Sequence, residues 1–120
     1  MTFSQRNRHR CESPKGFNHK LNSWSTSEWF TALVGEVGEA GNLIKKLNRI
    51  RDGIPGNKVS ETKEELEHAL LHELADVFIY LDLLTQSLGA DLMRIAEIKF
   101  QITSRKIDYQ ESEPYQLAEQ

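Results

Sequence analysis

Two pairs of carboxylates at helical spacing constrain this 120-residue chain more than anything else in it: Glu36 and Glu39 in GEVGEAGNLIKK, then Glu73 and Asp76 in HELADVFIYLDLL. Acids three residues apart share one helix face. With about 100° of turn per residue, Leu66, Ala69, Val77, Tyr80 and Leu84 fall within roughly 40° of Glu73, near the middle of an apolar face. An unpaired carboxylate there is costly, so it is either neutral or meets a cation. Glu36 and Glu39 lie on the flank of their own apolar stripe, beside Trp29, Leu43 and Ile50, where partial shielding strengthens their pull on a cation. Bringing the two faces together makes an all-oxygen site. Such a site suits Mg²⁺, with Mn²⁺ as a substitute, better than zinc or copper. Mg²⁺ keeps positions open for water and substrate phosphates, which points to phosphoryl chemistry.

The helices that carry these acids are legible from their ends. Ser25 and Glu28 have capping-box spacing, and Trp24 and Trp29 stand where a hydrophobic staple would clamp the entry. Phe30, Leu33, Val37, Ala40, Ile44 and Leu47 then recur at three- and four-residue steps, giving a helix to about residue 50. Residues 51–60, with Asp52-Gly53 and Pro55-Gly56, form a loop. Thr62 and Glu65 open a second helix, apolar on nearly every side from Val77 to Leu84, which marks it as the centre of a bundle. Gly89 ends it. Asp91 caps a third helix from Leu92 to about Lys106, with Leu92, Ile95, Ala96, Ile102 and Thr103 inward and Lys99 near the middle of that stripe. No strand-like alternation or internal repeat is present, so the fold class is all-α.

Composition narrows the rest. A net charge of -3 gives no general attraction to nucleic acid or membrane surfaces. There is no apolar run of about 18 residues and no signal-peptide pattern, so a soluble, cytoplasmic protein is the expectation. Cys11 is the lone cysteine, a free thiol. Residues 1–22 are polar and lack helical periodicity, and they read as a flexible, solvated arm whose Arg6, Arg8, Arg10, Lys15 and Lys20 have phosphate contact as the alternative role. Residues 23–107 form the domain, and 108–120 a polar, fraying tail. A single domain this short, with wide apolar helix faces, calls for a second copy to cover them.

The ordered set of E-x-x-E on one helix and E-x-x-D on the next resembles the MazG-like branch of the all-α nucleoside triphosphate pyrophosphohydrolases. The similarity spans about Trp24 to Lys106 and includes a later D-L-x(6)-K pattern met by Asp91, Leu92 and Lys99. The resemblance implies a helical bundle whose four-helix core is completed by homodimerisation, as a dimer or a dimer of dimers. It implies Mg²⁺ held by Glu36, Glu39, Glu73 and Asp76. The implied reaction is hydrolysis of canonical or non-canonical (deoxy)nucleoside triphosphates to the monophosphate and pyrophosphate. Relatives acting on deoxycytidine triphosphate have a tyrosine four residues after the motif aspartate, a place taken here by Tyr80; where they carry a base-stacking tryptophan late in the first helix, Lys46 stands instead.

On this reading Glu39, with Glu36 beside it, accepts the proton of the attacking water. Lys99, Lys45 and Lys46 are candidates for phosphate, against the ordinary roles of a snorkelling lysine and a solvated helix end that complements its dipole. Trp29 is a core or staple residue, with base stacking as its other role. His68, His72 and Asp76 at successive i+4 steps offer a competing transition-metal site. The alternative function is a catalytically weak helical module that binds nucleotide or a protein partner and keeps a structural metal.

Overall fold

Ser25 and Glu28 close their capping box in the computed structural model: Glu28 N donates to Ser25 Oγ at 3.3 Å, and Ser25 N donates to Glu28 Oε1 at 3.0 Å. This fixes the start of the longest helix, Thr26–Asp52. The structure describes residues 1–111, so most of the tail expected over 108–120 lies outside the described residues. Four α-helices follow in chain order: α1 (Phe3–Glu12), α2 (Thr26–Asp52), α3 (Lys63–Ser87) and α4 (Leu92–Lys106), with a 3₁₀ turn at Leu21–Ser23. No strand occurs among the described residues, and the all-α class is as expected. Nor is any described helix long and apolar enough to cross a membrane.

The ends of α2 and α3 obey local chemistry. Gly53 takes the left-handed conformation, φ 66°, which closes α2 at low steric cost. At α3 only half of a capping box forms, Glu65 N donating to Thr62 Oγ1 at 3.2 Å. Gly89 at φ 77° follows the end of α3, and Asp91 caps α4 by accepting from Met93 N at 3.1 Å. α3 touches every other helix, the central place that its all-round apolar sequence demands.

The N-terminal segment departs from the expectation of a solvated arm. Thr2 and Gln5 form a full capping box that starts α1, and α1 docks on α3. Its buried face is polar, which is why apolar periodicity could not reveal it. Ser4 Oγ donates to Asp82 Oδ1 at 2.7 Å, and Asn7 Nδ2 donates to Asp82 Oδ2 at 2.9 Å and to Ile79 O at 3.1 Å. Gln86 Nε2 adds a bond to Asp82 Oδ2 at 3.0 Å. Asp82 is 1% exposed, so all three donors meet it away from water.

The core sits where α1, the 3₁₀ turn, the start of α2 and the end of α3 meet: Cys11, Leu21, Trp29 and Leu83, backed by Trp24, Ile79, Tyr80 and Leu84. The connection after α1 is pinned to it. Phe17 N donates to Arg10 O at 2.9 Å, and Leu21 N donates to Glu12 Oε2 at 3.0 Å, which with Arg8 holds the Glu12 carboxyl below its usual range. Gly16 packs so closely on α1 that an added Cβ would lie 2.0 Å from Arg10 O, a backbone atom. Gly16→Ala is therefore expected to cost about 1–3 kcal/mol, read from the urea midpoint, by levering this connection off α1.

α4 corrects a second expectation. Its stripe does not face inward within one chain: Ile95, Ala96, Ile102, Thr103 and Lys99 are exposed, and the helix touches α3 alone. Apolar faces stay uncovered on α2 at Phe30, Val34, Val37 and Ile44, and on α3 at Leu71, Leu74 and Phe78. The radius of gyration, 18.5 Å, exceeds the roughly 14 Å of a compact chain of this length.

Candidate functional site

Helical spacing places Glu36 on the side of α2 that faces α3, and Glu73 and Asp76 on the answering side of α3. One carboxylate oxygen from each of these three lies within 4.8 Å of the others. All three are half-buried. Glu73 Oε2 is shut off from solvent and has no hydrogen-bond partner, the kind of orphaned acceptor that costs free energy unless something positive meets it. Glu39 stands just outside the group, exposed, yet near enough for its charge to raise both Glu36 and Glu73. Three of the four expected ligands thus converge, and the fourth borders them.

Crowding shows in the titration of the acids. Burial pushes the Glu36 carboxyl above the usual range, and the charges of Glu39, Asp76 and Glu73 push it further. Glu73 is raised by burial first, then by its closeness to Glu39 and by the charge of Asp76. Among the described residues neither carboxyl has a cationic partner. A divalent ion fits the observation: the donors are all oxygen, one is orphaned, and neighbouring negative charge is what a hard cation relieves.

Beside the acids opens a cavity of about 430 Å³. Its walls are largely aromatic, from Phe17, His19, Trp24, Trp29 and Tyr80, and Glu36 and Asp76 line it as well. Trp24 and Trp29 meet edge to face with centroids 4.7 Å apart, the expected staple, and the His19 ring abuts both at 4.4 and 5.5 Å. Trp29 Nε1 donates to Leu21 O at 2.9 Å, which fixes the indole. Burial and the charges of Glu36 and Asp76 raise the Tyr80 hydroxyl, so it stays a proton donor at the cavity wall.

Tyr80 and Trp29 are thus at the site, and so is Arg10 of the basic N-terminal residues, while the three lysine candidates are not brought there. Lys46 Nζ pairs with Glu61 Oε1 at 2.9 Å, and Asn57 Nδ2 donates to Lys46 O at 2.8 Å, so this lysine ties the loop after α2 to its helix. Lys45 and Lys99 are exposed and do not line the cavity. The His68 and His72 rings lie 4.5 Å apart, tilted by 52°, but among the described residues the acid group is the one cluster of three metal-capable side chains. Sequence reasoning missed Asn7, Cys11 and His19 as cavity walls, and it left Arg10 on a solvated arm with phosphate contact as its alternative role; the Thr2-x-x-Gln5 capping box was the signal that could have brought α1 into view. Cys11 is buried and free, its thiol donating to His19 O at 3.1 Å.

Comparison with protein-family models, curated proteins and solved structures returned no match. The functional reading rests on the residues themselves.

Proposed function

We propose that the chain is a Mg²⁺-dependent nucleoside triphosphate pyrophosphohydrolase of the MazG-like all-α type. The observation that carries this reading is the joining of two features: an acid cluster with an orphaned oxygen, and an aromatic cavity that two of those acids also line. A nucleotide has the matching halves, a flat ring that stacks on aromatic faces and a polyanion that needs divalent cations. Glu36, Glu73 and Asp76 would hold the metal. Bound there, Mg²⁺ supplies charge neutralisation for the triphosphate and a more acidic water.

The chain's own residues do the positioning. Trp24, His19 and Tyr80 give the ring its seat, with Trp29 behind them. Seating the ring at one end and the phosphates at the acids fixes which phosphorus faces the attacking water, and this orientation is a large part of catalysis. Glu39, outside the three ligands but within reach of Glu73, accepts the water's proton. The pyrophosphate leaves from the opposite side.

A second copy of the chain belongs to the same proposal. Gly35, Gly38 and Gly41 lie on α2, where a Cβ would meet nothing within 4 Å, so nothing within the chain requires their small size. Each costs about 0.5–1 kcal/mol in a helix relative to alanine. Close approach of a second backbone accounts for them and for the uncovered apolar faces of α2 and α4. Light scattering is expected to give a mass of at least twice 13.8 kDa at micromolar concentration; a monomer there overturns the dimer.

Release of pyrophosphate from a panel of canonical and damaged triphosphates tests the function. Turnover is expected with Mg²⁺ or Mn²⁺ and none with a chelator present. Nucleotide binding with no turnover on any member leaves the weak binding module in place of the enzyme.

A further inference from the structure

The buried carboxyl of Asp82 has no part in the chemistry above, yet it is among the least exposed side chains of the molecule, at 1%. Both its oxygens are engaged: Oδ1 by Ser4, Oδ2 by Asn7 and Gln86. Two of the three donors come from α1, and Gln86 Nε2 also reaches Ser4 O at 2.9 Å. A purely structural dock between two helices is made more cheaply with apolar side chains, because burying a carboxyl carries a desolvation cost. What directed hydrogen bonds add is a fixed register. A greasy contact can slide; this one holds α1 at one rotation and one height on α3.

The consequence falls on the cavity. Asn7 is held by Asp82 and lines the cavity as well; Arg10 and Cys11, one turn further along α1, line it too. Arg10 carries the segment that completes the wall, since Phe17 N donates to its carbonyl and the Phe17 ring lies 5.4 Å beneath its guanidinium. The guanidinium is a donor only, and among the described residues it has no acidic partner. It is also the one arginine or lysine lining a cavity that Glu36 and Asp76 line too. A ligand oxygen, on a ring carbonyl or on a phosphate, is the acceptor that it lacks.

We propose that Asp82 is a positioning residue for nucleotide binding: by fixing Ser4 and Asn7 it sets α1 so that Arg10 meets an oxygen acceptor of the nucleotide and the Cys11–His19 wall closes on its ring. This rests on the nucleotide reading of the cavity. Asp82 itself touches no ligand. Its effect passes through α1.

Both tryptophans of the chain line the cavity, so ligand binding is read directly from intrinsic fluorescence. The probes are α,β-methylene triphosphates of the common bases with Mg²⁺, and the corresponding free nucleosides. Asp82→Asn is expected to weaken triphosphate binding about tenfold, the scale of one lost hydrogen bond to a charged partner. Thermal stabilisation by Mg²⁺ alone stays as in the wild type, and in turnover the loss falls on KM rather than kcat. Arg10→Ala, an exposed change that leaves the fold intact, is expected to reproduce the affinity loss. If it weakens nucleosides too, Arg10 reads the ring; if triphosphates alone, a phosphate. Folded Asp82→Asn or Arg10→Ala protein that binds within twofold of a binding wild type overturns the positioning role and leaves the nucleotide reading standing. A wild type that binds none of the probes overturns both.

Discussion

Glu73→Gln is expected to raise the melting temperature of the metal-free protein, to remove its response to Mg²⁺, and to lower turnover at least about 100-fold. A mutation that stabilises the fold while destroying function separates a metal site from a salt-bridge surface. In the metal-free chain Glu73 is a half-buried carboxyl facing Glu39, Asp76 and Glu36, and its removal relieves repulsion. Were it an ordinary surface acid, the change would move neither quantity.

The sign of the pH dependence follows from the same crowding. Glu36 and Glu73 have folded-state values raised above those of the unfolded chain, so the folded state binds more protons in the window between the two. The metal-free protein therefore loses stability as pH rises through that window, which opens at the ordinary carboxylate value and extends upward. Glu12 works in the opposite sense and below it. Its depressed value contributes stability that is present above the unfolded value and lost as pH falls through the folded one. Melting curves across pH are expected to flatten on the high side of the carboxylate range both in Glu73→Gln and in wild type saturated with Mg²⁺. A metal-free slope unchanged by Glu73→Gln contradicts the assignment.

Trp29→Ala is expected to cost about 3–5 kcal/mol, a large share of the 5–15 kcal/mol that holds a domain together. Trp29 is 2% exposed and joins three parts of the chain: it lies in the first turn of α2, packs edge to face on Trp24 and donates its indole N–H to Leu21 O. With only a handful of buried apolar residues among those described, no neighbouring core can compensate. Trp29→Phe keeps an aromatic ring and loses the hydrogen bond, at about 1–2 kcal/mol for the bond and the lost volume. Urea denaturation distinguishes the two, and an equal midpoint for Ala and Phe would show that the ring's bulk is not what the core requires. A base-stacking role alone would leave both midpoints near that of the wild type.

Why α2, α3 and α4 were legible and α1 was not has a physical reason. Apolar residues at three- and four-residue steps announce a helix that buries carbon, and Phe30 to Leu47 and Leu66 to Leu84 do so plainly. α1 buries Ser4 and Asn7 through hydrogen bonds to Asp82, and hydrogen-bond complementarity between residues about 75 positions apart leaves no periodic trace. The cavity was hidden with it, because half its wall comes from α1 and the segment that follows. The acids were readable because helical geometry alone puts Glu73 and Asp76 on one face. That Glu39 would stand outside the group of three depends on how α2 rotates against α3, which spacing on a single helix does not determine. Lys99 stands apart from the cavity for another reason: its helix packs on α3 alone and leaves it exposed, so a site role for it depends on the proposed second copy.

Hydrolysis in ¹⁸O-labelled water tests the central proposal most directly, because it reports which phosphorus is attacked. With Mg²⁺ and an accepted triphosphate, the label is expected in the nucleoside monophosphate alone, beside unlabelled pyrophosphate in equal amount. Label in pyrophosphate or orthophosphate, or an unchanged triphosphate across the whole panel, would contradict a site in which Glu36, Glu73 and Asp76 hold the metal for attack at the innermost phosphorus.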